Sequence, residues 1–217
     1  MKITKISCTI FSLLAVVFGL NAGEKAKSAS PSSCDVKGSC CNEQTFRDGW
    51  YMGVNGGVNF LCTSTHEHQK IKPFAGYSLG WEFGYRWRRG IRLEIEEVFK
   101  NNRIRAVRFQ GANISTGGHI WSLSTLVNAL FEIPGFKKWC LTPYVGVGIG
   151  YGHQYIHANN FNLAHAGTKN GFAWQAIAGI GYWFNKRVDF AVEYRYREGP
   201  VTYLYDQTAQ GAVKYHF

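Results

Sequence analysis

Much of the chain alternates strictly between apolar and polar positions. Over residues 75–87 the odd positions are Ala75, Tyr77, Leu79, Trp81, Phe83, Tyr85 and Trp87, and the even ones Gly76, Ser78, Gly80, Glu82, Gly84 and Arg86. Successive side chains of a strand point to opposite faces, so this alternation predicts a strand with one bulky apolar face and one small or polar face. It is long for a strand of a soluble domain, where about five or six residues is typical.

The pattern recurs. Trp50, Met52, Val54, Val58 and Phe60 alternate with Tyr51, Gly53, Asn55, Gly57 and Asn59, and Ile91, Leu93 and Ile95 with Arg92, Glu94 and Glu96. A weaker case sets Trp121, Leu123, Val127 and Phe131 against Ser122, Ser124, Asn128 and Glu132. Val145, Val147, Ile149 and Tyr151 then face Tyr144, Gly146, Gly148 and Gly150, and Trp174, Ala176, Ala178, Ile180 and Tyr182 face Gln175, Ile177, Gly179, Gly181 and Trp183. Val188, Phe190, Val192, Tyr194 and Tyr196 oppose Asp189, Ala191, Glu193, Arg195 and Arg197, and Val213, Tyr215 and Phe217 close the chain against Ala212, Lys214 and His216. Together these predict an all-β fold of eight strands.

An even number of antiparallel strands closes up and down into a barrel without an open edge. The large side chains form one continuous face, whereas a soluble barrel turns its bulky set inward. Closure is also what a bilayer demands, because unpaired backbone groups in hydrocarbon cost several kcal/mol each. The expected fold is therefore an eight-stranded antiparallel up-and-down transmembrane β-barrel. The polar face carries Glu82, Arg86, Arg92, Glu94, Glu96, Glu132, Asp189, Glu193, Arg195, Arg197 and Lys214. A charge facing lipid at midplane costs about 2–4 kcal/mol, so these residues are expected inside, paired as a lumen charge network. An eight-stranded barrel is just wide enough for side chains to fill, which predicts a plugged lumen.

Composition narrows the class without changing the pattern. A charged fraction of 18% with 16% aromatic residues excludes intrinsic disorder, and 5 prolines exclude a collagen-like chain. No apolar run reaches the roughly 18 residues of a membrane-spanning helix. Short connections at 88–90, 133–139 and 185–187 are expected on the periplasmic side, and long ones at 61–73, 97–119, 153–170 and 198–210 outside.

The N-terminus is read separately. Lys2 and Lys5 precede an apolar run ending at Leu20, followed by the small residues Ala22 and Gly23. Residues 1–22 are expected to be a cleaved secretory signal peptide, whose loss lowers the net charge from +10 to +8. Residues 23–47, rich in Ser, Lys and Cys, form a predicted periplasmic tether, and 48–217 the barrel.

The segments Trp50-Tyr51-Met52-Gly53-Val54-Asn55-Gly56-Gly57, Thr142-Pro143-Tyr144-Val145-Gly146-Val147-Gly148-Ile149-Gly150-Tyr151 and Gln175-Ala176-Ile177-Ala178-Gly179-Ile180-Gly181-Tyr182 resemble those of the small outer-membrane β-barrel family of Gram-negative bacteria, akin to the transmembrane domain of outer membrane protein A and to porin-like surface antigens. The C-terminal Val213, Tyr215 and Phe217 look like that family's assembly signal, read by the outer-membrane insertion machinery. The resemblance implies an outer-membrane location and a structural, surface-antigen, adhesive or weakly porin-like role, without catalysis in most members. The cysteine-bearing tether is a departure from the family.

Five cysteines follow the signal. Cys34, Cys40, Cys41 and Cys140 are assigned to the periplasmic side and are the disulfide candidates, either with one another or with a disulfide-linked envelope protein; Cys62 is assigned to the outer side. His66-Glu67-His68 and His153 with His157 could supply imidazoles to a transition metal, but solvated loop histidines are the favoured reading and no metal or other cofactor is expected. Lys100, Arg103, Arg105 and Arg108 make the second outer loop basic, which suits the phosphates of lipopolysaccharide better than nucleic acid. No triad-like spacing supports an enzyme. The expected function is a structural, surface-exposed barrel in the lipid bilayer, with a small porin as the alternative.

Overall fold

The computed structural model describes residues 48–63, 69–73, 75–109, 112–134, 140–158, 167–201 and 204–217. The predicted signal peptide and tether, 1–47, lie outside the described residues. The strands are β1 (Gly49–Thr63), β2 (Gln69–Pro73), β3 (Gly76–Arg86), β4 (Ile91–Phe109), β5 (Ala112–Glu132), β6 (Leu141–Ala158), β7 (Gly167–Trp183), β8 (Val188–Glu198) and β9 (Leu204–His216).

They form a single sheet of order β2-β4-β3-β1-β9-β8-β7-β6-β5, and a further pairing of β4 with β5 joins its ends. The lower part of β4 pairs with β3, from Arg86↔Arg92 to Tyr77↔Asn101, and its upper part pairs with β2, from Pro73↔Ile104 to Gln69↔Phe109. β2 and β3 therefore share one position in the wall, and the structure is a closed eight-stranded antiparallel barrel. Its last seam runs between the chain's first and last strands, with Tyr51 opposite His216 and Val54 opposite Val213.

The two faces segregate as the alternation requires. Val192 is 72% exposed on the outer wall, whereas its neighbour Glu193 is 2% exposed inside. Aromatic residues mark two levels of the wall. Near the short turns, Trp50 stacks on Phe83 at 5.1 Å and Tyr215 meets Phe217 edge-on at 5.5 Å. Farther from those turns, the indole N–H groups of Trp81 and Trp174 donate to Glu97 and Glu198 at 3.1 and 3.2 Å. Such rings suit the two bilayer interfaces, where an apolar body and a wet polar tip are both satisfied.

The short turns are closed by local hydrogen bonds. Gly90 N–H donates to Trp87 O at 2.9 Å, and the Asn185 carboxamide oxygen accepts from the N–H groups of Arg187 and Val188, both at 2.8 Å. The strands on the other side reach farther than the alternation indicates. β4 and β5 run for 19 and 21 residues. At about 3.3 Å per residue and a tilt near 45°, that exceeds a hydrocarbon core of roughly 30 Å, so this hairpin stands above the membrane as extended sheet. The expected long loop at 198–210 is likewise mostly strand, because β9 begins at Leu204. Asp206, Thr208 and Gln210 continue its inner face, but Gln207 and Ala209 opposite them give no apolar signal.

Candidate functional site

The barrel interior is built in layers, each fastened across the lumen. At the end of the barrel that carries the short turns, Asp189 meets His216 at 3.3 Å, and Trp183 lies against the imidazole with ring centroids 4.5 Å apart. Above them Glu132 accepts from Arg86 through both oxygens, at 2.7 and 2.6 Å, and from Arg92 Nε at 2.7 Å. The Arg86 and Arg92 guanidinium groups sit over the rings of Trp183 and Tyr144, at 5.0 and 4.7 Å.

The middle layer has two cationic centres. The Lys214 ammonium lies 2.7 Å from Glu82 and 3.2 Å from Glu193. Arg195 bonds Glu193 at 2.6 Å, approaches Glu82 at 3.4 Å and pairs with Glu96. Tyr51 donates to Glu94 at 2.6 Å, and Tyr144 donates to Glu193. Two glycines make room for these phenols. A Cβ on Gly84 would stand 2.8 Å from Tyr51 Cζ, and one on Gly179 2.8 Å from Tyr144 Cζ.

Higher up, Gln175 donates to Glu96 at 2.8 Å and accepts from Arg197 at 2.8 Å, while Asn128 donates to Glu94 and Glu96 at 3.1 Å each. A lid completes the column. Lys100 pairs with Asp206 and donates to Thr208 at 2.9 Å, Thr208 donates to Asn59 at 2.9 Å, and Asn59 donates to Asn102 at 2.6 Å. The space left beside the lid, walled by Asn59, Asn102, Gln154, Arg197, Pro200 and Asp206, is about 20 Å³, room for roughly one water.

All eleven residues of the expected network, Glu82, Arg86, Arg92, Glu94, Glu96, Glu132, Asp189, Glu193, Arg195, Arg197 and Lys214, are buried on the inner wall. Sequence reasoning missed Lys100 and Asp206, which it placed in outer loops. Lys100 continues the even-numbered inner positions from Arg92 to Glu96, and Asp206 continues those ending at Lys214, so parity carried the signal where hydropathy did not. With them, the buried charges among the described residues number seven acids and six bases, plus His216. These buried groups are nearly balanced in charge, so they do not account for the chain's net charge of +10.

The other expected sites are placed as follows. Val213, Tyr215 and Phe217 face outward at the closing seam, where Phe217 N–H donates to Trp50 O at 3.0 Å. Cys140, the turn residue immediately before β6, has a φ of +57° and is disulfide-bonded. Cys34, Cys40 and Cys41 lie outside the described residues, and Cys62 is buried near the upper end of β1. Arg103, Arg105 and Arg108 lie on the raised part of β4. His66, His68 and His165 are outside the described residues. His153 and His157 stand four residues apart on β6, about 13 Å, too far to share a ligand. The neighbour of His157 is instead His119, directly opposite on β5.

A closed barrel with an apolar outer belt, aromatic rims and an ion-paired interior defines a transmembrane β-barrel of the bacterial outer membrane. The chain belongs to the outer membrane protein β-barrel domain family, whose model matches residues 12–217. A relative described as "Outer membrane protein" from Gluconacetobacter diazotrophicus is 30% identical over 145 residues, 62% of this chain and 37% of that protein, so the match spans well under half of the relative. Among solved structures, Neisserial surface protein A aligns over 78% of this chain and 97% of its own, with TM-score 0.54 and 14% identity. OprG from Pseudomonas aeruginosa aligns over 80% and 99%, with TM-score 0.50 and 14% identity. At that identity the likeness is one of fold.

Proposed function

We propose that the chain is a non-conducting barrel that anchors a raised, surface-exposed rim, and that its biological role, of the adhesin or antigen type, is carried by that rim. The observation behind this reading is the unbroken column of paired side chains from Asp189 and His216 to Lys100 and Asp206, with space for about one water beside the lid. A porin needs a continuous water path, and channels of that kind use roughly 16–18 strands. Arg103 is exposed on the raised part of β4, and Lys70, Lys72, Arg105 and Arg108 belong to the same pair of strands, β2 and β4, a basic stretch of sequence that suits lipopolysaccharide phosphates as neighbours. Val213, Tyr215 and Phe217 fit recognition by the outer-membrane insertion machinery, and the cysteine tether fits a disulfide-linked envelope partner.

The reading assigns no catalysis. The buried Asp189–His216 pair is walled by the rings of Trp183 and Tyr51, not by a nucleophile.

Single-channel recording on the purified barrel in planar bilayers tests the proposal, with heat-modifiable migration verifying that the protein is folded. A folded, electrically silent barrel is the expected result. Steady ohmic steps would overturn it and make the protein a small porin.

A further inference from the structure

We infer that His119 and His157 form a surface site for a transition-metal dication of the copper and zinc class. Their strands are antiparallel neighbours, and the two residues are direct partners in the β5–β6 register. Both are exposed on the outer face, in the raised part of the wall above the aromatic rung formed by Trp121 and Tyr155. Their ring centroids are 5.5 Å apart with planes inclined by 37°. One nitrogen from each ring at about 2.1 Å from a metal, subtending a near-tetrahedral angle, sets imidazole centroids about 5.3 Å apart, so the rings already stand at coordination spacing. Rigid sheet backbone fixes both Cα positions. Tyr155 lies almost parallel to the His157 ring, at 7° and 6.3 Å, and limits its swing.

Imidazole is a borderline ligand that selects copper, nickel and zinc over magnesium and calcium. Among the described residues no group of three His, Cys, Asp or Glu side chains is placed to hold a metal, so water would complete the coordination shell. Arg103 occupies the neighbouring register position on β4, opposite His119, and is exposed. Its positive charge weakens a cation at the histidine pair, but would strengthen an anion there, which makes it a sign test of the ligand's charge. A metal at this position staples β5 to β6 above the membrane.

The test uses the full mature chain, folded in detergent, with His66, His68 and His165 replaced by Ala to remove other imidazoles. Calorimetry with Cu²⁺ and with Zn²⁺ at pH 7.5, where an ordinary imidazole is mostly neutral, should show one saturable equivalent, with Cu²⁺ tighter. His119→Ala and His157→Ala should each weaken it at least tenfold, and the Cu²⁺ electron paramagnetic resonance signal should pass from two coupled nitrogens to one. His153→Ala should leave it unchanged, and Arg103→Gln should tighten it. Absence of saturable binding, or affinity unchanged in either single histidine variant, overturns the site. Loss of binding in Arg103→Gln also overturns it, because taking a positive charge away from a histidine-held dication should tighten the binding.

Discussion

Arg86 on β3 grips Glu132 on β5 through two parallel hydrogen bonds, at 2.7 and 2.6 Å, and so ties together the two strands that flank β4. Arg92, on β4 itself, adds a third bond to the same carboxylate at 2.7 Å. All three side chains are nearly sealed from solvent, and one anion serves two cations. Replacing Glu132 by Gln removes the carboxylate that the two buried guanidinium groups share, for which a loss of about 3–5 kcal/mol is expected. Urea unfolding in lipid vesicles, followed by tryptophan fluorescence, measures it. The triple variant Arg86→Met, Arg92→Met, Glu132→Leu removes charge and counter-charge together and is expected to be neutral or more stable. A loss under about 1 kcal/mol in Glu132→Gln would mean that water reaches the layer and the seal is not there.

Gly179 shows that the interior is also full in the steric sense. A Cβ there would meet Tyr144 Cζ at 2.8 Å, its hydroxyl oxygen at 2.9 Å and Glu193 Cγ at 3.0 Å, while the Tyr144 ring is held by its bond to Glu193. Gly179→Val is expected to cost about 1–3 kcal/mol by overpacking. Gly211→Val, whose nearest atom beyond its own neighbours is Ala191 O at 3.9 Å, should cost markedly less. Combining Gly179→Val with Tyr144→Ala should recover part of the loss in a double-mutant cycle, and strict additivity would deny the contact.

The wall of the barrel was legible because both its signals are strong where they overlap. Lipid demands large apolar side chains on one face, the lumen demands small or polar ones on the other, and over residues 75–87 every position obeys both. Above the bilayer the first demand disappears while hydrogen-bonded sheet continues. Lys100, Asn102, Asp206 and Thr208 sit on strands whose outward neighbours include Asn101 and Gln207, so alternation fades and an apparent loop is in fact wall. The identities of the inner charges could be read from parity, but their partners could not. Arg195 bonds Glu193 two residues away and Glu82 and Glu96 about a hundred residues away, and only strand order and shear decide which of these meet. The His119–His157 pair was hidden for the same reason, since its two members are adjacent only through register.

The C-terminus separates stability from assembly. Phe217 is 70% exposed and contributes one backbone bond to Trp50 O and an edge contact with Tyr215. Deleting it should change the unfolding free energy by roughly 1 kcal/mol or less, because so little is buried. If the residue acts as a recognition signal, the heat-modifiable fraction recovered from cells should fall several-fold, while refolding of the purified variant into detergent stays as efficient as that of the parent chain. Equal losses in both settings would make Phe217 a folding residue and not a signal.

The plug itself can be tested by unbalancing it. Arg195 and Arg197 are the bases that fasten the middle of the column to its upper part, through Glu193, Glu96 and Gln175. Replacing both by Ser shortens two long side chains and leaves seven acids against Arg86, Arg92, Lys100 and Lys214, so the opened space is lined by a net negative charge. A charged ring of that sign favours cations. The double variant, once its folded migration is verified, is therefore expected to pass small cation-selective currents in a bilayer where the parent barrel is silent. Anion selectivity would contradict the charge assignment of the lumen. A folded variant that stays silent would show that the Arg86–Glu132 floor and the Lys100–Asp206 lid each close the barrel without the middle layer, and that the central ion pairs hold the wall together without serving as its seal.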